Sequence, residues 1–227
     1  SLKLSFCDSL QNVDGLANLT NLTSLDLAYC DSLEDVDALA NLSKLNSLNL
    51  RDCHPIVQPK TEVMTTRKDV IGYQDRIRFV TTLMDGDTNV LSDYKDSTSL
   101  DLSGCNLQNV DALANLTNLT SLSLWNSSSF TSLPVGLDKL TNLTSLDLSY
   151  CSSLQNVDGL TNCTKLTDLN LSGCNSLQNV DGLANLTKLT SLDLYNCSSL
   201  PVSLANDEMT TRNEVAAYQE QIKKAMQ

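Results

Sequence analysis

Histidine is almost missing from this 227-residue chain, which holds one, and aromatic residues make up only 4%, with a single tryptophan. One histidine leaves little room for the commonest catalytic base and the commonest neutral metal ligand. That residue, His54, precedes Pro55 and reads as a loop residue, with no Ser–His–Asp or Cys–His set to assemble around it. Cations are scarce as well: Lys+Arg number 15 against 27 Asp+Glu, for a net charge of −12. Nucleic acid and anionic membrane surfaces are held by clustered cations, so both are disfavoured as partners. No apolar run approaches the ~18 residues of a membrane helix, which disfavours membrane insertion. The first ten residues, SLKLSFCDSL, have neither the charged start nor the apolar stretch of a signal peptide. They lie inside a repeated phrase, so a removed leader or N-terminal cap is an open expectation. Neither GxxxxGK[ST] nor GxGxxG occurs, and the expectation is a non-enzymatic chain with no cofactor and no metal.

What is present is repetition. The phrases SLDLAYCDSLEDVDALANLSKL (24–45), SLDLSYCSSLQNVDGLTNCTKL (145–166) and DLNLSGCNSLQNVDGLANLTKL (168–189) superimpose. Cys7, Cys30 and Cys53, and again Cys151, Cys174 and Cys197, recur every 23 residues. The phrase that starts at Cys105 is one residue shorter, and SSSFTSLPVGLDKLTNL (127–143) is one longer, as a solenoid tolerates on its loop side. Alternating leucines such as Leu25 and Leu27, or Leu146 and Leu148, give period two and hence a short strand with leucines inward. Val157, Leu160 and Cys163 then match a short helical turn, and Asp14, Asp37, Asp111, Asp158 and Asp181 stand where an Asp caps such a turn.

The run LTNLTSLDLxxCxSLxNVDGLANLTNL resembles the leucine-rich-repeat superfamily. Its NVDGLANLTNL half is similar to internalin-like and phosphatase-regulator repeats. Cysteine at the usual asparagine position, and LPVGLDKLTNL, resemble cysteine-bearing and plant-type repeats. The resemblance covers about 1–53 and 97–200. It implies an α/β leucine-rich-repeat right-handed solenoid, or horseshoe, with a parallel concave sheet and short convex helical turns. It is nearly silent on function, since one scaffold serves many partners.

Eight strands are expected, near Leu2–Leu4, Leu25–Leu27, Leu48–Leu50, Leu100–Leu102, Leu122–Leu124, Leu146–Leu148, Leu169–Leu171 and Leu192–Leu194. Residues 1–53 form a first array, 54–96 an inserted helical segment, 97–200 a second array and 201–227 a C-terminal capping helix. EVMTTRKDVIGYQDRIRFVTTLM (62–84) and DEMTTRNEVAAYQEQIKKAMQ (207–227) are two copies of one segment. Thr66 with Asp69, and Thr211 with Glu214, have capping-box spacing, and apolar residues at i, i+3 and i+7 follow. The last copy is expected to cover the open end of the core. The internal copy is either looped out of one continuous array, roughly 34 Å long at ~4.8 Å per strand, or the true end of a three-strand array. The first arrangement is preferred.

Eight cysteines suggest disulfides. Successive copies of one repeat position lie a rung apart with parallel Cβ vectors, near ~4.8 Å rather than the ~3.8 Å of a bridge. The cysteines therefore read as a ladder of buried thiols donating to turn carbonyls, with Cys163 in the core. Zinc needs four converging ligands, which a linear ladder does not supply. Unpaired thiols lean towards a reducing compartment or a bacterial source, while eleven N-x-S/T triplets lean the other way. The triplets weigh less, because NLT is built into the repeat.

If the leucines face the core, the residues between and just after them face the concave surface. One column contains Asp26, Asp101, Asp147 and Asp193; the next Arg51, Trp125 and Tyr195; the third Phe6, Tyr29 and Tyr150. The fold does not need aromatics there, and exposed aromatics favour binding. These ten residues are the expected site for a protein or peptide, with the acidic column favouring a basic or polar one. The alternative is a self-associating scaffold assembled through the first strand or the internal helix.

Overall fold

The computed structural model describes residues 1–53, 63–84, 88–105, 111–133, 136–201 and 208–227. His54 lies outside the described residues. The chain divides into two units, Ser1–Asp87 and Thr88–Gln227.

In the first unit the strands β1 (Leu2–Lys3), β2 (Ser24–Asp26) and β3 (Ser47–Asn49) run parallel, with Leu2 opposite Leu25 and Leu25 opposite Leu48. Registering leucine on leucine sends one column of side chains into the core, so Leu25, Leu27, Leu48 and Leu50 are all fully buried. β3 then pairs on its other edge with β4 (Val63–Met64), antiparallel, and α1 (Arg67–Met84) follows.

The second unit repeats this plan with more rungs. β5 (Ser99–Asp101), β6 (Ser121–Ser123), β7 (Ser145–Asp147), β8 (Asp168–Asn170) and β9 (Ser191–Asp193) are parallel and leucine-registered. β10 (Glu208–Met209) closes the sheet antiparallel on β9, and α2 (Arg212–Ala225) follows. All eight expected repeat strands are present, at the expected leucines. They form two sheets, three rungs in one and five in the other. The preferred expectation, that the Leu100 strand stacks on the Leu50 strand, gives way to its alternative. β4 already occupies that edge of β3.

Between strands the chain returns through short 3-10 turns such as Asp37–Asn41, Asp158–Leu160 and Asp181–Leu183. Val157, Leu160 and Cys163 are spaced by three, the period of a 3-10 helix, and all three are fully buried. Capping differs from expectation. The aspartates are the first residue of each turn and receive the cap: Asn12, Asp35, Asn156 and Asn179, two residues earlier, accept from the N–H of Asp14, Asp37, Asp158 and Asp181 at 2.6–3.3 Å. A short amide or carboxylate oxygen reaches the N–H two residues on more readily than the side chain of the turn's own first residue.

Each array ends in the same way. Thr211 and Glu214 form a reciprocal capping box, and Thr66 Oγ1 accepts from the N–H of Asp69 at 3.3 Å. Val70, Tyr73 and Ile77 of α1, and Val215, Tyr218 and Ile222 of α2, are buried. The amide of Gln219 donates to the carbonyls of Leu183 and Leu186 at 2.8 and 3.0 Å, and that of Gln74 to Leu39 and Leu42 at 2.7 and 3.1 Å. These carbonyls belong to the last convex turn, where no further rung exists to cover them. Arg212 and Arg67 each hold their own cap glutamine by its Oε1 and reach a backbone carbonyl of the last rung, Leu189 and Leu45 respectively. The internal copy is therefore a working cap, with its apolar face covered by its own array.

Replacing Gln219 with Met keeps the volume and removes the amide, taking one of two donors from each carbonyl and leaving Leu183 and Leu186 only the N–H groups of Leu186 and Leu189. We expect a loss of about 1–3 kcal/mol in stability by urea denaturation, and the same sign for Gln74→Met. Unchanged midpoints for both variants would show that the glutamines do not hold the caps.

Candidate functional site

Every repeat strand is followed, two residues beyond its second leucine, by a residue in the left-handed region. These are Phe6, Tyr29, Asp52, Gly104, Asn126, Tyr150, Gly173 and Asn196, with φ between 53° and 72°. Their backbone continues the ladder past the strand. Tyr29 N–H donates to Arg51 O at 2.7 Å, Tyr150 N–H to Ser172 O at 2.7 Å, and Gly173 N–H to Tyr195 O at 2.8 Å. Glycine, asparagine and aspartate enter this region readily, and a bulky side chain does so at a cost. Five positions obey that rule; Phe6, Tyr29 and Tyr150 break it.

The acidic column explains how the turn is held. One oxygen of Asp26, Asp101, Asp147 and Asp193 accepts the N–H two residues on, that of Ala28, Ser103, Ser149 and Tyr195, at 2.8–3.2 Å. Asn49 and Asn170 do the same for Arg51 and Ser172. These half-buried acids are thus turn-formers. In the neighbouring column Ala28, Ser149 and Ser172 are buried rather than surface-facing, and the two serine hydroxyls donate to Asp147 and Asn170. Arg51, Trp125 and Tyr195 of that column are exposed.

The aromatics form two groups, one per unit. Phe6, 71% exposed, stacks on half-buried Tyr29 with centroids 4.7 Å apart and planes 8° from parallel. Trp125 and Tyr150, 40% and 55% exposed, meet at 6.3 Å and 74°. Tyr195, also exposed, stands two rungs beyond Tyr150. The residue that sequence reasoning overlooked is Gly173. A Cβ built there would lie 2.9 Å from Cδ1 of Tyr150, so the tyrosine ring rests across the glycine. The recurrence of Gly, Asn and Asp in this column was the available signal.

The thiols behave as a ladder. Cys30, Cys53, Cys151, Cys174 and Cys197 donate to Leu4, Leu27, Leu124, Leu148 and Leu171 carbonyls at 2.9–3.3 Å. All eight cysteines are free, and seven are buried. Ser127, fully buried, takes the same column and donates to Cys105 O at 3.1 Å. Burial pushes Cys151 up to about 12 and Cys163 and Cys197 to about 11. Cys174 rises further, for the same reason and through Cys151 and Cys197 beside it. Such thiols are poor nucleophiles and poor ligands. Among the described residues no three His, Cys, Asp or Glu side chains converge on a metal-sized site, and no helix is long and apolar enough to cross a membrane.

Residues 141–185 match the family described as Leucine Rich repeats (2 copies), and residues 18–40 and 98–114 match Leucine Rich repeat. These are leucine-rich repeats. Among solved structures, internalin C2 of Listeria monocytogenes is similar at 23% identity over 90% of this chain and 76% of its own, with a TM-score of 0.40. The leucine-rich-repeat domain of the type III effector XCV3220 (XopL) is 23% identical over 83% of this chain and 51% of its own, with a TM-score of 0.37. A plant peptide hormone receptor, RGFR1, solved with RGF2, is 16% identical over 86% of this chain and 30% of its own, with a TM-score of 0.36. No curated protein matches the chain. Leucine-rich-repeat proteins serve in general as protein-interaction modules without catalysis of their own.

The buried thiols give a pH signature. Unfolded thiols ionise from about pH 8.5, whereas Cys151 stays protonated to about 12. Stability contributed by the neutral buried thiols is therefore complete below about pH 8.5 and falls as pH rises towards 12. A Cys151→Ser, Cys197→Ser variant, imitating Ser127, should lose less stability across that interval in urea titrations. A slope equal to that of the parent would remove these thiols as its cause.

Proposed function

We propose that this chain is a non-enzymatic recognition module whose strand-bearing face, the concave face of a leucine-rich-repeat solenoid, holds a protein or peptide. The observation that carries this reading is the placement of Phe6, Tyr29 and Tyr150 at positive φ. An aromatic there costs about 1–2 kcal/mol, and Phe6 and Tyr150 remain 71% and 55% exposed, so core burial does not return that cost. Strain retained at exposed positions is the mark of a surface kept for contact. Trp125, Tyr150 and Tyr195 of the second unit, with Asp101, Asp147 and Asp193, form the larger face. Phe6, Tyr29, Asp26 and Arg51 form that of the first unit.

Assembly through the internal helix is the second reading, and the burial of Val70, Tyr73 and Ile77 leaves Ile71 as the exposed large apolar residue of α1 among the described residues. The reading is tested with the full chain as bait in its native source. Trp125→Ala and Tyr150→Asn should each weaken capture of the same partner at least about ten-fold, as expected for aromatic hot spots. Tyr150→Asn should also hold or raise thermal stability, since asparagine suits the left-handed position. Partner capture that is indifferent to both substitutions would reject the face.

A further inference from the structure

We propose that the corner between Trp125 and Tyr150 seats a cationic side chain, an arginine or lysine of a basic peptide segment, and that Gly173 is the residue that positions the Tyr150 ring for it. This rests on the binding reading above and names what the second unit's face takes. Two aromatic planes 74° apart, with centroids 6.3 Å from one another, meet edge-on in an exposed corner, with Trp125 40% and Tyr150 55% accessible. A guanidinium or ammonium group within about 6 Å of a ring centroid is attracted by the ring's negative face.

The charge around the corner selects the sign. Across β5 to β9 and the turns that follow them, the outward positions carry Asp101, Asp147, Asp168 and Asp193 and no lysine or arginine. Each of Asp101, Asp147 and Asp193 gives an oxygen to its own turn and stays half-buried on the face. An anionic ligand meets carboxylates at four of the five strands, and a cation meets no competitor.

Gly173 supplies the third observation. Its backbone, at φ 72°, would suit asparagine as well, and asparagine does stand in the same column at Asn126 and Asn196. What glycine alone allows is the ring above it: a Cβ would approach Cδ1, Cε1 and Cγ of Tyr150 at 2.9, 3.2 and 3.3 Å. The choice of glycine at rung four is thus explained by the tyrosine at rung three. Tyr150 is laid over Gly173 and set at a steep angle to Trp125, which fixes the corner before any ligand arrives.

Two short, capped, dye-labelled peptides, one alternating Arg and Gly and one alternating citrulline and Gly, are titrated against the full chain at about 0.15 M salt, where long-range charge effects are screened beyond about 8 Å. We expect the arginine peptide to bind about ten-fold more tightly by anisotropy, and to change the fluorescence of Trp125, the chain's only tryptophan. Tyr150→Ala should bring the arginine peptide down to the citrulline level. Gly173→Asn, checked by its melting curve, should cost the arginine peptide several-fold and leave the citrulline peptide unchanged. Equal affinity of the two peptides, absence of binding by either, or an arginine preference that survives Tyr150→Ala would overturn the proposal; the last would assign the preference to the net charge as a whole. Capture of a native partner that depends on Trp125 and Tyr150 but shows no arginine preference would sink this inference alone. Capture independent of both residues would sink the earlier reading instead.

Discussion

The backbone turn that ends each repeat strand is the constraint on which both the stacking and the surface depend. To leave the strand and enter the convex return, the chain passes through one left-handed residue. The turn is held from within by an Asx oxygen two residues back and from outside by the next rung, whose carbonyl takes the left-handed residue's N–H. The same bonds that fix the leucines in register therefore fix where the outward side chain points. A side chain at that position lies outside the leucine core and is subject to a backbone demand, which is why its chemistry can be read as a statement about the surface and its neighbours there.

The ends of the arrays obey a different necessity. A parallel sheet leaves its last strand with unpaired groups, and a stack of 3-10 turns leaves its last carbonyls, each holding one backbone N–H, with no further rung packed over them. An antiparallel strand answers the first need and a cap glutamine the second, with the arginine holding the glutamine in place. Because the internal segment carries the same threonine, arginine, tyrosine and glutamine, it meets the same needs at the end of a three-rung array. Three repeats are about the least that can bury a continuous core, and with its own cap the first unit has that minimum.

Much of this was legible from residues. Leucine alternation located eight strands, the 23-residue spacing of cysteines set the rung, and repetition of MTTR marked the caps. Three features were not legible, each for a physical reason. Whether the Leu100 strand continued the first sheet depended on β4, a two-residue strand too short to have a period of its own. The aspartates between the leucines looked like an acidic surface because a sequence shows charge and not the hydrogen bond that engages it; Asp147 binds its own turn. And the role of Gly173 appears only when the ring of Tyr150, 23 residues earlier, is seen lying over it.

One repeat grammar has produced two chemically different faces. In the first unit the rings of Phe6 and Tyr29 lie nearly parallel, so they present a single flat plate, and Lys3 and Arg51 stand beside Asp26 and Asp52. In the second unit Trp125 and Tyr150 meet at a steep angle, and the outward positions carry acids without cations. A flat plate with balanced charge suits an apolar or neutral planar contact, whereas an angled pair among carboxylates suits a cation. The difference follows from which rungs hold the aromatics: Phe6 and Tyr29, on adjacent rungs in the same column, stack, while Trp125, in the column before that of Tyr150, meets it at 74°.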